Sequence, residues 1–130
     1  MPMTKANRIV VRTGTADEFF ARARTAARRA DQGKPFEHTL TLSFEDPGRM
    51  FAVMSPSRRE LVQVVMRKPM TLAELTRTLR RERAAVAKDV KLLESAGLLE
   101  SARTPNPGHG VNTWVRATAR RIDLLATLAA

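Results

Sequence analysis

The sequence predicts an α+β fold, mostly helical, built around two helices joined by a tight break and followed by a β-hairpin. Two observations carry this. Residues 71–96 hold two apolar stripes at helical spacing, separated by Arg80-Arg81-Glu82. Gly97 then stops the second helix, and Thr-Pro-Asn-Pro-Gly-His-Gly at 104–110 is a turn or loop between two short strands. Charge bears on the partner rather than the fold: 23 Lys and Arg against 13 Asp and Glu, a net +10, with a pI of about 11.5, point to a polyanion.

Taken in order, Arg8–Thr13 is a short strand. Thr15 opens a helix, with Glu18 completing a capping box. Phe19, Ala23, Ala26, Ala27 and Ala30 recur at helical spacing and Gly33 closes the segment. His38 to Phe44 alternates polar and apolar residues, as a half-buried strand does. Asp46-Pro47 and Ser55-Pro56 are each an N-cap followed by a first helical residue. The first starts a short helix with Met50, Phe51 and Met54 on its apolar side. The second starts a helix to Arg67 that buries Leu61, Val62, Val65 and Met66 and ends at Pro69.

Thr71 and Glu74 form a further capping box for a helix with Leu72, Leu75 and Leu79 inside. Residues 83–96 follow as a helix with Val86, Val90 and Leu93 on one side. Leu98 to Glu100 and Val111 to Ala117 are the hairpin strands. Ala119, Ile122, Leu125 and Leu128 are spaced for a C-terminal helix. This order of elements is a winged helix-turn-helix, with an N-terminal helical arm (1–36) and a domain at 37–130 that includes the C-terminal helix.

Composition narrows the function. The chain is 130 residues long and 43% apolar, enough for one core and an extended arm. It has no cysteine, no tyrosine and two histidines, which argues against metal cages and nucleophile–base catalysis; no enzyme, metal or cofactor is expected. No apolar run suits a membrane and the first residues lack a signal peptide, so a cytoplasmic location is expected. Eighteen of the 23 bases are arginine, whose planar fork suits phosphates and guanine edges. The arm alone holds eight bases and three acids. The competing explanation is a merely solubilising surface.

The helix at 83–96 is the candidate recognition helix, since the major groove admits a helix. Val86, Val90 and Leu93 share one side; Ala84, Lys88 and Lys91 fall roughly opposite, flanked by Ala85 and Ala87. Expected DNA contacts are Arg80, Arg81 and Lys91 on phosphates, and Arg83 and Lys88 on base edges. Ala84 and Ala85 permit close approach, and Arg103 and His109 contact DNA from the hairpin. Asp89 and Glu94 suit a groove poorly and are expected on the flanks or paired with arginines of the neighbouring helix. Trp114 is read as core or interface. Phe19, Ile122, Leu125 and Leu128 are expected to form the homodimer interface, because two half-sites are needed for useful specificity. Double-stranded DNA is the expected partner. RNA or nonspecific architectural binding competes, weakened by the scarcity of aromatic residues for base stacking.

The runs Thr71 to Leu79 and Val86 to Leu99 resemble the MarR/ArsR-type winged-helix regulators of bacteria and archaea. Ser43-Phe44, Ser55-Pro56-Ser57-Arg58 and Val86-Ala-Lys-Asp-Val90 resemble a small branch of predicted transcriptional regulators within that superfamily. The resemblance spans roughly residues 38–100. With the charge and the order of elements, the expected function is a dimeric DNA-binding protein that represses or otherwise regulates transcription, its own operon included; some members of the branch look like antitoxins, which implies a toxin protein as partner. Similar sequences often carry Gly-Arg before the recognition helix, where this chain has Arg80-Arg81.

Overall fold

The structure, a computed structural model, describes residues 6–14, 16–33, 39–108 and 110–128. Thr15, His38 and His109 lie outside the described residues, as do the side chains of Phe19 and Asn106. The elements are β1 (Ala6–Thr13), α1 (Ala16–Asp31), β2 (Thr39–Phe44), α2 (Pro47–Val53), α3 (Pro56–Arg67), β3 (Met70–Thr71), α4 (Leu72–Leu79), α5 (Arg83–Ser95), β4 (Leu99–Asn106), β5 (Gly110–Ala117) and β6 (Ala119–Leu125). They make two three-stranded sheets, ordered β2-β1-β6 and β3-β5-β4. The chain divides into two compact units, residues 1–52 with 121–130, and residues 53–120. This division differs from the boundary after residue 36 expected from the sequence. Among the described residues no helix is long and apolar enough to cross a membrane.

In the first unit β1 and β2 run parallel, from Arg8 opposite Thr39 to Thr13 opposite Phe44. Parallel neighbours need a long crossover, and α1 supplies it. Ile9, Val10 and Val11 are all buried, as expected of a middle strand covered on both faces. Asp46 Oδ1 accepts from Gly48 N at the start of α2, and Met50 is fully buried.

The C-terminal helix expected over 119–129 is instead strand β6. The spacing of Ala119, Ile122, Leu125 and Leu128 fits a helix, but a lone helix of that length is marginal in water. The free hydrogen-bonding edge of β1 offers the segment a partner for its backbone, and β6 takes it. Asp123 bonds both Arg8 and Arg121, and Thr127 N donates to Thr13 Oγ1 at 3.0 Å, anchoring the segment. Asp123 titrates below its ordinary value because of the hydrogen bond from Arg121, with a smaller contribution from Arg8.

The second unit is the winged helix-turn-helix. Ser55 Oγ accepts from Arg58 N and Pro56 sits in the first turn, so α3 starts where the sequence predicts. Thr71 Oγ1 accepts from Glu74 N to start α4. Leu61, Val62 and Val65 of α3, Leu75 of α4, and Val86, Val90 and Leu93 of α5 are buried together with Leu98, Leu99 and Val115. At about 1.5–3 kcal/mol for each large side chain, this burial dominates the stability of the unit. β4 and β5 pair antiparallel from Leu99 opposite Ala117 to Asn106 opposite Gly110, and β3 adds Met70 and Thr71 to the other side of β5. The hairpin is longer than the sequence implies, since residues 104–106 belong to β4 rather than to the loop. Pro105 is accommodated because β4 is an edge strand, where a missing N–H need break no ladder bond.

Candidate nucleic-acid interface

α5 separates its residues by face. Val86, Asp89, Val90 and Leu93 are buried, whereas Arg83, Ala84, Lys88 and Lys91 are exposed and Ala85 is half-buried. The exposed stripe combines cations with a small side chain that leaves the backbone approachable. It is a surface a groove can accept, provided no carboxylate spoils it.

Of the two acids of α5, Asp89 is buried and Glu94, though exposed, is bonded to the hairpin. Asp89, 7% exposed, accepts from Arg58 Nε of α3 at 3.1 Å and from Arg81 Nη2 of the α4–α5 turn at 2.7 Å. Burial raises its pKa, but the hydrogen bonds and charges of Arg81 and Arg58 outweigh that and hold it below the ordinary carboxylate value. One carboxylate thus ties α3, the turn and α5 together, as charge-assisted bonds can. Glu94 Oε1 accepts from Ser101 N at 3.2 Å and Ser101 Oγ at 2.8 Å, joining α5 to β4. These acids were expected on the flanks or paired with arginines of the neighbouring helix; Asp89 pairs with Arg58 of α3 and with Arg81 of the turn, and Glu94 bonds the hairpin.

This geometry separates the two turn arginines. Arg80 is exposed, with a left-handed backbone at φ 53. Arg81 is half-buried and spends one guanidinium nitrogen on Asp89, so its first role is structural. In the sequence Arg58 is legible only as part of a helix start. Its place three residues after the cap Ser55 marked the helix, but nothing local indicated that it reaches Asp89.

In the hairpin, directly opposed residues share a face. Ser101 lies opposite Val115 and bonds α5, so Arg103, opposite Thr113, is on the same side as α5 and nearer the tip. Arg103 is exposed. His109 lies outside the described residues. Trp114 is on the other face, 39% exposed beside Ala102 and Thr71, so it is not a core residue of this unit. Arg116 Nε donates to Glu100 Oε2 at 3.2 Å across the same pair of strands.

Charge is concentrated in this unit. Residues 53–120 hold thirteen bases and six acids, or +7 of the total +10. The excess attributed to the arm is diluted by the acids that fold with it. Of the expected dimer residues, Ile122 is half-buried, Leu125 is 44% exposed and Leu128 90% exposed, while the Phe19 side chain is outside the description. Among the described residues no cluster of His, Cys, Asp and Glu is placed to hold a metal ion.

The family described as HVO_A0114 matches residues 53–111, nearly the whole of this unit. No curated protein matches the chain. Three solved structures are similar in part. One is a protein of Methanosarcina mazei Go1 described as a possible transcriptional regulator, 12% identical over 59% of this chain and 68% of that one, with a TM-score of 0.49. The second is ZitR of Lactococcus lactis, a zinc-responsive MarR family member, 25% identical over 48% of this chain and 42% of that one, with a TM-score of 0.42. The third is the homodimeric winged helix-turn-helix DNA-binding domain of Mb0332 from Mycobacterium bovis, described as a possible ArsR-family transcriptional regulator. It is 14% identical over 82% of this chain and 75% of that one, with a TM-score of 0.46. For the present chain, the order of its own elements, α3-β3-α4-α5-β4-β5, is what defines a winged helix-turn-helix protein.

Proposed function

We propose that this chain is a DNA-binding transcriptional regulator that acts as a homodimer and represses by occupying a promoter, its own included. The observation that carries the reading is the exposed face of α5. Arg83, Ala84, Lys88 and Lys91 line it, while the only two acids of the helix are bonded elsewhere. In this mechanism α5 enters a major groove, Arg83 and Lys88 reach base edges, and Ala84 and Ala85 let the backbone approach. Arg80, Lys91 and Arg103 fix the register on phosphates, with His109 at the hairpin tip. Arg81 contributes mainly by holding the helix. Leu125 and Leu128, exposed at the end of the first unit, support a homodimer contact that includes Ile122 and Phe19.

The test is selection of duplexes from random sequence by the purified protein, followed by affinity measured across salt. An enriched motif with two related half-sites and a steep salt dependence is expected. Failure to enrich any duplex, or affinity indifferent to salt, refutes the reading. An additional antitoxin role draws support from the first unit, which has its own core and exposes Phe20, Phe51, Leu125 and Leu128. Co-expression with the product of the adjacent gene tests for a toxin partner.

A further inference from the structure

Arg80 and Arg81 are neighbours with different surroundings. Arg81 turns in toward Asp89. Arg80 is exposed, and among the described residues no hydrogen bond or ion pair holds its guanidinium. Its backbone, at φ 53 and ψ 46, is left-handed, and it is the only described non-glycine residue with positive φ. The turn requires this conformation. Arg80 N donates to Arg77 O at 3.3 Å and Arg81 N to Thr76 O at 3.4 Å. These are the paired bonds of a Schellman closure, whose left-handed residue is ordinarily glycine. The end of α5 follows that preference, with Gly97 at φ 86. At Arg80 the Cβ crowds the following carbonyl, and among the described residues no hydrogen bond or ion pair of its side chain offsets the strain.

We propose that Arg80 trades fold stability for binding. The left-handed closure of α4 holds its guanidinium out from a rigid base onto a backbone phosphate of duplex DNA, while Arg81 holds α5 in place. The inference rests on the DNA-binding reading above. A side chain rooted in a turn fixed by two backbone bonds loses less freedom on binding than one from a mobile loop. Strain kept at a site without internal benefit is the pattern found where a residue serves a ligand.

The experiment compares Arg80→Gly, Arg80→Ala, Arg80→Lys and Arg81→Ala in thermal melting and in fluorescence anisotropy with a labelled duplex from the region upstream of the gene, over a range of salt. Arg80→Gly should raise the melting temperature by about 4–8 °C and flatten the log–log salt slope by about one unit per engaged protomer. Affinity at about 50 mM salt should fall about tenfold per engaged protomer. Arg80→Ala should lose the same affinity with no gain in melting temperature, and Arg80→Lys should keep most of the affinity. Arg81→Ala should lower the melting temperature instead. Arg80→Gly binding with the wild-type slope, or melting no higher than Arg80→Ala, overturns the proposal. If the wild-type protein binds no duplex, the DNA-binding reading itself fails, an outcome distinct from wild-type binding that Arg80→Gly leaves intact.

Discussion

Asp89→Ala is the sharpest probe of how α5 is held. The carboxylate is 9% exposed at its side chain and bonds guanidinium groups of Arg58 and Arg81 that are 21% and 27% exposed. Its removal takes away the carboxylate that both partly buried guanidinium groups share. Breaking a fully buried pair costs about 3–5 kcal/mol. Residual solvent around both arginines reduces this to about 2–3 kcal/mol. For a unit of this size that is a fall in melting temperature of about 8–24 °C. Urea denaturation followed through Trp114, the single tryptophan, reads it directly. Arg58→Ala should cost less, about 1 kcal/mol, because Arg81 still pairs with the carboxylate. A loss below about 0.5 kcal/mol for Asp89→Ala would place the cluster with ordinary surface ion pairs. It would then follow that apolar packing of Val86, Val90 and Leu93 alone fixes the recognition helix.

The same carboxylate sets an acid limit. Its folded pKa is below the ordinary value of 3.8, so its stabilisation is complete above about pH 5 and is lost as pH falls through 3.8 toward the lowered value. The stability advantage of wild type over Asp89→Asn should shrink across that window in acid-dependent denaturation; an advantage unchanged at about pH 2 contradicts the ion-pair account. Lys88→Ala should cost about 1–3 kcal/mol on a selected operator and little on random duplex; an equal loss on both makes Lys88 a phosphate contact only. Glu94→Ala should free Ser101 and lower stability by about 1 kcal/mol, measured by the urea midpoint, with no change meaning that β4 is held by its ladder alone. Leu125→Glu should yield folded monomers in sedimentation with operator affinity cut far more than nonspecific affinity; an unchanged dimer moves the contact elsewhere.

Local chemistry made the second unit legible. Ser55 and Thr71 cap their helices as their side-chain oxygens allow, and Val86, Val90 and Leu93 face inward because their spacing leaves one apolar side. The cationic stripe of α5 followed from the same periodicity. Other features depend on partners distant in the chain. The segment from Ala119 has both a helical stripe and residues compatible with a strand, and only the edge of β1 selects the strand. Pro105 suggested a loop until edge placement removed its cost. Asp89 was recognisable as misplaced in a groove, but its partners lie 31 and 8 residues away.

The sequence by itself therefore determined the helices, the hairpin and the sign of the exposed surface, because caps, periodicity and charge act over a few residues. The tertiary structure alone decided that β1 and β2 run parallel, that the last segment joins them as β6, and that Arg81 turns inward while Arg80 stays out. Strand pairing and buried ion pairs join groups far apart in the chain, and their free energy is realised only when the chain has brought those groups together.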